Sequence, residues 1–330
     1  MDEVRLGTVG TGNIVHTILD NAARVDGIRL CGVYSRSADK AEALAGRYGC
    51  GKTYTDMDAF LADPGINTVY IATPNLLHFE QAKKALMAGK NVILEKPFTT
   101  RRVQAEELIR IAKEKKLLLT EAAPTSFLPN YAILREQLKR IGPVRLVLSD
   151  YSQYSSRYGA VLRGEKPAVF DMAYAGGCLM DINFYNVLLN VLLFGVPQSA
   201  TYYPNIREGY ADTSGVMVMR YDGFVSSNGG AKDAAGVNSF QIEGENGYIY
   251  VEDGANGLKR IRVVTGDADE TFNEQPEPDR WYYEVREISR LFRAEDHDAV
   301  YARLDTTAQT VTVMEAARLR AGIRFPGDEA

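Results

Sequence analysis

The sequence predicts an α/β protein of two domains, a doubly wound N-terminal domain followed by an α+β domain on a mainly antiparallel sheet. Three observations carry this. A length of 330 residues is about twice the usual ~100 to 150 of one domain. Over roughly the first 120 residues, short β-branched runs alternate with helix-period segments, the pattern of parallel strands joined by crossover helices. Near Pro124 and Pro129 the alternation breaks, and pairs of Asn or Asp with Gly then punctuate the chain as tight hairpins do. The boundaries are therefore set at 1–124 and 125–330.

The expected strands of the first domain are Leu6–Val9, Ile28–Tyr34, Thr68–Ala72, Asn91–Leu94 and Leu117–Leu119. Ala38–Tyr48, His78–Met87 and Val103–Lys115 carry helical periodicity between them, and Gly49 and Gly89 stand where helices stop. In the second domain, Asn130–Ile141 and Asp181–Phe194 read as helices. Asp222-Gly223 separates the strands Gly215–Tyr221 and Phe224–Asn228, and Asn246-Gly247, Asp253-Gly254 and Asn256-Gly257 mark further hairpins. In Val216, Met217, Val218 and Met219 both parities are apolar, so both faces of that strand should be dry. This predicts a homodimer, or a homotetramer, joined through the sheet of the second domain.

Composition excludes several classes. With 45% hydrophobic and 25% charged residues the chain can bury a large core, unlike a disordered or collagen-like chain. A net charge of -5 disfavours a nucleic-acid binder, whose affinity rests on released counterions. The start, Met-Asp-Glu-Val-Arg, has neither a basic n-region nor an apolar h-region, and the most apolar stretch, Val187–Val196, is short of the ~20 residues that span a bilayer, so neither export nor a membrane span is expected. Cys31, Cys50 and Cys178 have no metal-ligand spacing, so reduced thiols in a cytoplasm are expected, with no metal. Only His16, His78 and His297 are available as imidazoles.

The first strand runs into Gly10, Thr11, Gly12, Asn13 and Ile14 and then a helix-compatible stretch. Glycines at these two positions permit a tight turn and let backbone N–H groups approach a pyrophosphate at a helix N-terminus. The third position of that fingerprint is Val15 rather than Gly or Ala, which puts the packing of helix on strand in question. An NAD-selective site would carry Asp or Glu about twenty residues on, to bind the ribose hydroxyl. Here the second strand ends in Tyr34, Ser35 and Arg36. Ser35 can donate to a 2′-phosphate, and Arg36, with Lys40 a helical turn further, can neutralise it, so NADP fits better than NAD.

Ligands of such sheets bind outside the carboxyl ends of the strands, which points to two further strand ends. One gives Ala72, Thr73, Pro74 and Asn75 with His78 after it; the other gives Glu95, Lys96 and Pro97. These are candidate cofactor contacts, with Lys96 a candidate for chemistry. In the second domain Gly176-Gly177 precedes Asp181 and Tyr185, four residues apart and so on one face of an expected helix.

Together these motifs resemble the glucose-fructose oxidoreductase, inositol dehydrogenase and rhizopine catabolism (Gfo/Idh/MocA) family. Ile242–Ile249 is similar to that family's late strand-turn-strand, so the resemblance covers nearly the whole chain. It implies an N-terminal Rossmann domain, a C-terminal domain whose open sheet serves oligomerisation, NAD(P)-dependent redox chemistry on polyols, sugars or related alcohols, a catalytic Lys96 and a cis bond before Pro97. Many members have histidine where Tyr185 stands, and here the chain looks closer to the dihydrodiol dehydrogenase and NADP-dependent xylose dehydrogenase branch. It departs from that branch at Pro124, Thr125, Ser126 and Phe127, where an arginine would precede the phenylalanine.

The chemistry has its own logic. Hydride transfer from a carbinol carbon needs a group to receive the hydroxyl proton. None of the three histidines falls in the helix-start element, which leaves Tyr185 or Lys96. An unperturbed phenol titrates near ~10, and bringing it to ~7 takes about 4 kcal/mol of preferential anion stabilisation. A nearby ammonium supplies that scale. Asp181 is assigned to a substrate hydroxyl or to orienting Lys96. Tyr154 and Arg157, with Tyr151 and Tyr158, are candidate substrate contacts, as are Trp281, Tyr282 and Tyr283, and the loop of Gly229, Gly230 and Lys232. The alternative is a non-catalytic dinucleotide-binding sensor on the same fold.

Overall fold

The structure is a computed structural model that describes residues 1–328. These residues form two compact units, Met1–Ala123 with Asp279–Ala308, and Pro124–Pro278 with the segment from Gln309 onward.

The first unit opens with β1 (Val4–Val9), α1 (Asn13–Ala22), β2 (Ile28–Tyr34), α2 (Ala38–Arg47), β3 (Thr53–Tyr54) and α3 (Met57–Ala62). It continues with β4 (Thr68–Ile71), α4 (His78–Met87), β5 (Asn91–Glu95), α5 (Arg102–Lys115) and β6 (Leu119–Ala122). The six strands are parallel in the order β3-β2-β1-β4-β5-β6. The order reverses between β1 and β4, and the crevice beyond the carboxyl ends at that switch is where such sheets take ligands. Every residue of β4, β5 and β6 is buried, which is why residues 69–71 and 92–94 read as apolar runs rather than as alternation, whereas Thr120 and Glu121 interrupt β6. Val15 is fully buried in α1, so the missing third glycine is accommodated by packing a valine in the core. Sequence periodicity missed β3 and α3. One has two residues; the other is a short helix set by the Asp56 side chain, which accepts from the Ala59 N–H at 2.7 Å.

The second unit contains α6 (Pro129–Gln137), β7 (Val144–Ser152), α7 (Tyr158–Leu162), a π-helical turn at Leu179–Asn183 and α8 (Phe184–Phe194). Then come β8 (Ser199–Ile206), β9 (Asp212–Arg220), β10 (Val225–Ala231), β11 (Ser239–Gly244), β12 (Gly247–Glu252), α9 (Gly254–Gly257), β13 (Arg260–Thr265) and β14 (Ala268–Phe272). Eight strands form one sheet in the order β14-β13-β12-β11-β7-β10-β9-β8, antiparallel except for β7 with β10. The hairpins at Asp222-Gly223 and Asn246-Gly247 form as expected. The other two do not: Gly254–Gly257 is a helical turn flanked by Asp253 and Leu258, both with positive φ. On β9, Met217 and Met219 are buried in the core while Val216 stays 40% exposed, so one sheet face carries the core and the other is open in the single chain. The apolar run Met172–Phe194 is long enough to cross a bilayer by length and composition, yet most of it is buried inside this unit.

The chain then returns to the first unit. α10 (Arg280–Ala294) starts at Asp279, whose carboxylate accepts from the Trp281 N–H at 3.1 Å and from Asn21 Nδ2 at 2.7 Å, tying it to α1. Its apolar stripe buries Val285, Ile288, Leu291 and Phe292. α11 (His297–Arg320) follows. The division at 125–330 is corrected accordingly: Asp279–Ala308 belongs with the parallel sheet, because the α10 stripe covers one of its faces.

Candidate active site

In the first unit, Gly10 follows β1 with φ +115°, and a Cβ there would sit 2.5 Å from the Ala72 carbonyl oxygen. Only glycine allows the turn after β1 to lie that close to the end of β4. Gly12 is the N-cap of α1, has no side-chain capping bond, and a Cβ on it would meet nothing within 4 Å. Gly12 and Asn13 are exposed, Thr11 and Ile14 half-buried. Unused helix N–H groups opening onto free space, with no side chain in the way, fit a pyrophosphate.

At the end of β2, Ser35 is half-buried and its Oγ accepts from the Ser37 N–H at 3.2 Å, which leaves the hydroxyl proton for a ligand. Arg36 is exposed, and so is Lys40 in the first turn of α2. Tyr34 to Ser37 at the strand end include no acidic residue, and Asp39 stands beside Lys40 in the first turn of α2. The geometry suits a 2′-phosphate.

The two other strand ends are locked together by His78. Its Nε2 lies 2.9 Å from the Thr73 carbonyl oxygen and its Nδ1 3.0 Å from that of Pro97. The ring is fully buried, and burial pulls its pKa below the usual range. His78 as a direct cofactor contact is therefore corrected: it holds the turns that carry Ala72, Thr73, Pro74, Asn75 and Lys96. Glu95 is also buried, its Oε1 accepting from Tyr70 Oη at 2.6 Å and its Oε2 from the Lys96 N–H at 3.2 Å, so it too braces the turn from beneath. Lys96 is half-buried at the end of β5, and the Lys96–Pro97 bond is cis.

Sequence reasoning missed Glu121, the brace on the far side of that turn. Its Oε1 accepts from the Phe98 N–H at 2.8 Å and its Oε2 from Thr307 Oγ1 at 3.1 Å, while burial pushes its pKa up to about 7. The signal was absent because an acid inside an apolar strand is indistinguishable, in one sequence, from a strand-end charge.

In the second unit Asp181 lies in the π-helical turn that leads into α8, and Tyr185 is in the first turn of that helix. Such wide turns recur at functional sites. Asn183, Asn186 and Asn190 form a buried stripe at helical spacing that fixes this segment to β10: Asn183 Nδ2 donates to the Asn228 carbonyl at 3.1 Å, Asn186 Nδ2 to that of Gly229 at 2.9 Å and Asn190 Nδ2 to Asn228 Oδ1 at 2.7 Å. Gly177 has φ +122°, and a Cβ on it would overlap Oδ1 of Asp212. Asp212 was not foreseen either: it is buried beneath the turn, accepts from the Leu179 N–H at 2.8 Å and from Tyr202 Oη at 2.6 Å, and burial pushes its pKa up to about 6.

Tyr185 is nearly buried and packs edge-on against Tyr151, ring centroids 5.8 Å apart, and Asp181 is paired with Lys232. Tyr154 and Arg157 are exposed on the segment after β7, where Tyr154 stacks edge-on with Tyr158. Two sequence-based candidates are relocated. Gly229 and Gly230 lie within β10, with Lys232 buried in the bend just past it, and Trp281, Tyr282 and Tyr283 belong to the first unit, under the guanidinium groups of Arg24, Arg280 and Arg286.

Comparison with known proteins identifies the family and the fold. Residues 4–122 match the model of the oxidoreductase family with an NAD-binding Rossmann fold, Gfo/Idh/MocA. The chain is 34% identical to scyllo-inositol 2-dehydrogenase (NADP(+)) IolU of Bacillus subtilis, over 99% of this chain and 100% of that protein. It is 34% identical to D-xylose 1-dehydrogenase (NADP(+)) of Hypocrea jecorina over 55% of this chain and 51% of that one. Among solved structures, a 3-ketoreductase from Actinomadura kijaniata in complex with NADP and TDP-benzene superposes with a TM-score of 0.82 at 22% identity, over 96% of this chain and 97% of the other, a likeness of fold.

Proposed function

The chain belongs to the Gfo/Idh/MocA oxidoreductase family and is a nicotinamide-dependent dehydrogenase or reductase of CH–OH groups, and we propose that it uses NADP and acts on a neutral cyclic polyol or sugar. The observation that carries the cofactor choice is the end of β2, where Ser35 and the exposed Arg36 stand in place of an acidic residue. The substrate class rests on the two NADP-dependent relatives, which act on scyllo-inositol and D-xylose.

Bound at the Gly10–Ile14 turn, the dinucleotide supplies hydride-accepting chemistry. The protein's part is to hold the alcohol and move its proton. As the carbinol carbon is oxidised, the hydroxyl proton passes either to Tyr185, with the Lys96 ammonium stabilising the oxygen anion as charge develops there, or to Lys96 acting as a neutral amine. Asp181 accepts a hydrogen bond from another substrate hydroxyl. Tyr154 and Arg157 are proposed to border the substrate. Retention of Lys96, Asp181 and Tyr185 together favours this reading over a non-catalytic sensor.

We further propose a homodimer, or a tetramer built from it, joined through the open sheet face. Leu148 on β7, 41% exposed, and Val216 on β9 lie on that face, which also carries Tyr248, Tyr250 and Arg262. A monomeric mass by sedimentation at micromolar protein would remove it. The catalytic proposal is tested by offering scyllo-inositol, D-xylose and related polyols with NADP and with NAD, following the reduced-nicotinamide absorbance; turnover with NADP supports it, and equal efficiency with NAD defeats the cofactor assignment.

A further inference from the structure

Lys232 follows β10 and is almost wholly inside the second unit, although lysines are seldom buried without a partner. Its backbone is fixed on both sides: the N–H donates to the Thr213 carbonyl at 2.8 Å and the carbonyl accepts from the Ser155 N–H at 2.9 Å. The ammonium is paired with the Asp181 carboxylate and lies 5.3 Å from the centre of the Phe170 ring. Exposure is unequal across the pair. The Lys232 side chain is 5% accessible and that of Asp181 30%, so the cation sits behind and the carboxylate faces outward. The Lys232 ammonium is thus set back from solvent behind Asp181, while its carbonyl anchors the segment that carries Tyr154 and Arg157.

We propose that Lys232 is a positioning residue for substrate recognition, its buried ammonium holding the Asp181 carboxylate in one orientation as the acceptor for a hydroxyl of a neutral polyhydroxylated substrate. This rests on the reading of the chain as a polyol or sugar oxidoreductase. A charge-assisted acceptor held by a fixed cation needs no reorganisation when the hydroxyl arrives, and a substrate bearing a carboxylate at that position is repelled. Asp212 and Asp233 lie in the same cluster, so removing the lysine leaves several acidic groups with one cation fewer.

The test is steady-state kinetics with NADP and a neutral polyol that the wild type oxidises. Lys232→Met is expected to raise KM for the polyol at least tenfold, to lower kcat by less than that factor and to leave KM for NADP within twofold. Lys232→Arg, which keeps the cation, is expected to stay within threefold of wild type. Asp181→Asn should raise the polyol KM at least as much as Lys232→Met, and the double variant should be no worse than Asp181→Asn alone, because both changes remove one interaction. An unchanged polyol KM in Lys232→Met, or effects that multiply in the double variant, overturns the proposal. If Lys232→Met does not fold, the other single variants decide: Lys232→Arg near wild type with a raised KM in Asp181→Asn supports it, and an unchanged KM in Asp181→Asn overturns it. Wild-type protein inert toward every neutral polyol and sugar overturns the functional reading and this inference together, whereas an active wild type with insensitive variants overturns this inference alone.

Discussion

Nδ1 of His78 lies 3.0 Å from the carbonyl oxygen of Pro97, so a fully buried imidazole fixes the residue next to Lys96. Its other nitrogen reaches Thr73, which makes one side chain the link between two strand-end turns. His78→Ala is expected to cost about 2 kcal/mol of stability, since it leaves a buried carbonyl unpaired and opens a void. Denaturant unfolding measures this, and kinetics on the same variant should show a larger loss in kcat than in NADP affinity. An unchanged unfolding midpoint would show that the clamp contributes nothing.

Arg36→Ala is expected to raise KM for NADP by about tenfold, near the scale of one charge-assisted contact, and to leave KM for NAD nearly unaltered. The ratio of kcat/KM for the two cofactors is the measurement. A ratio equal to that of wild type would mean the guanidinium is only solvated.

Lys96→Ala and Tyr185→Phe should each lower kcat by roughly 10² to 10⁴, the usual contribution of a positioned proton-transfer group. Dinucleotide binding, followed by fluorescence of the reduced cofactor, should stay within a fewfold for both. Near-normal turnover in both variants would rule the assignment out.

Glu121 gives a pH dependence of defined sign. Burial raises its pKa from 4.5 to about 7, so between these values the unfolded chain has lost the proton that the native state keeps. Stability therefore falls as pH rises through that interval, by about 3 kcal/mol at ~1.36 kcal/mol per unit, and is level above it. Glu121→Gln keeps the hydrogen-bonding shape without the titration. It should match wild type near pH 4 and be more stable near pH 8 in thermal melts. Parallel curves at both values would contradict this. Asp212, raised from 3.8 to about 6 by burial, and Glu284, held well above the usual carboxylate range by burial, leave a decline of the same sign in the variant, so the comparison is between the two proteins at each pH.

Much of the fold was legible because the local signals are strong. Continuous apolar runs gave β4 and β5, Asp222-Gly223 and Asn246-Gly247 gave two hairpins, and the Gly10–Gly12 turn stands where its spacing implied. The return of Asp279–Ala308 to the first unit was not legible, because an amphipathic helix shows that it covers something but not what. Nor was the helical turn at Gly254–Gly257, where Asx-Gly pairs serve a hairpin and a tight helical turn equally well. In the candidate site, the strand-end and helix-start residues could be named from spacing. Their supports could not, since Asp212, Glu121 and the pairing of Asp181 with Lys232 depend on contacts between residues far apart in the chain.

The most direct measurement is the appearance of reduced-nicotinamide absorbance when purified protein is mixed with NADP and a panel of cyclic polyols and sugars. Turnover of at least one neutral polyol, faster with NADP than with NAD and abolished in Lys96→Ala, is the expected result. Tight dinucleotide binding without turnover of any member of the panel, in either direction, would contradict it.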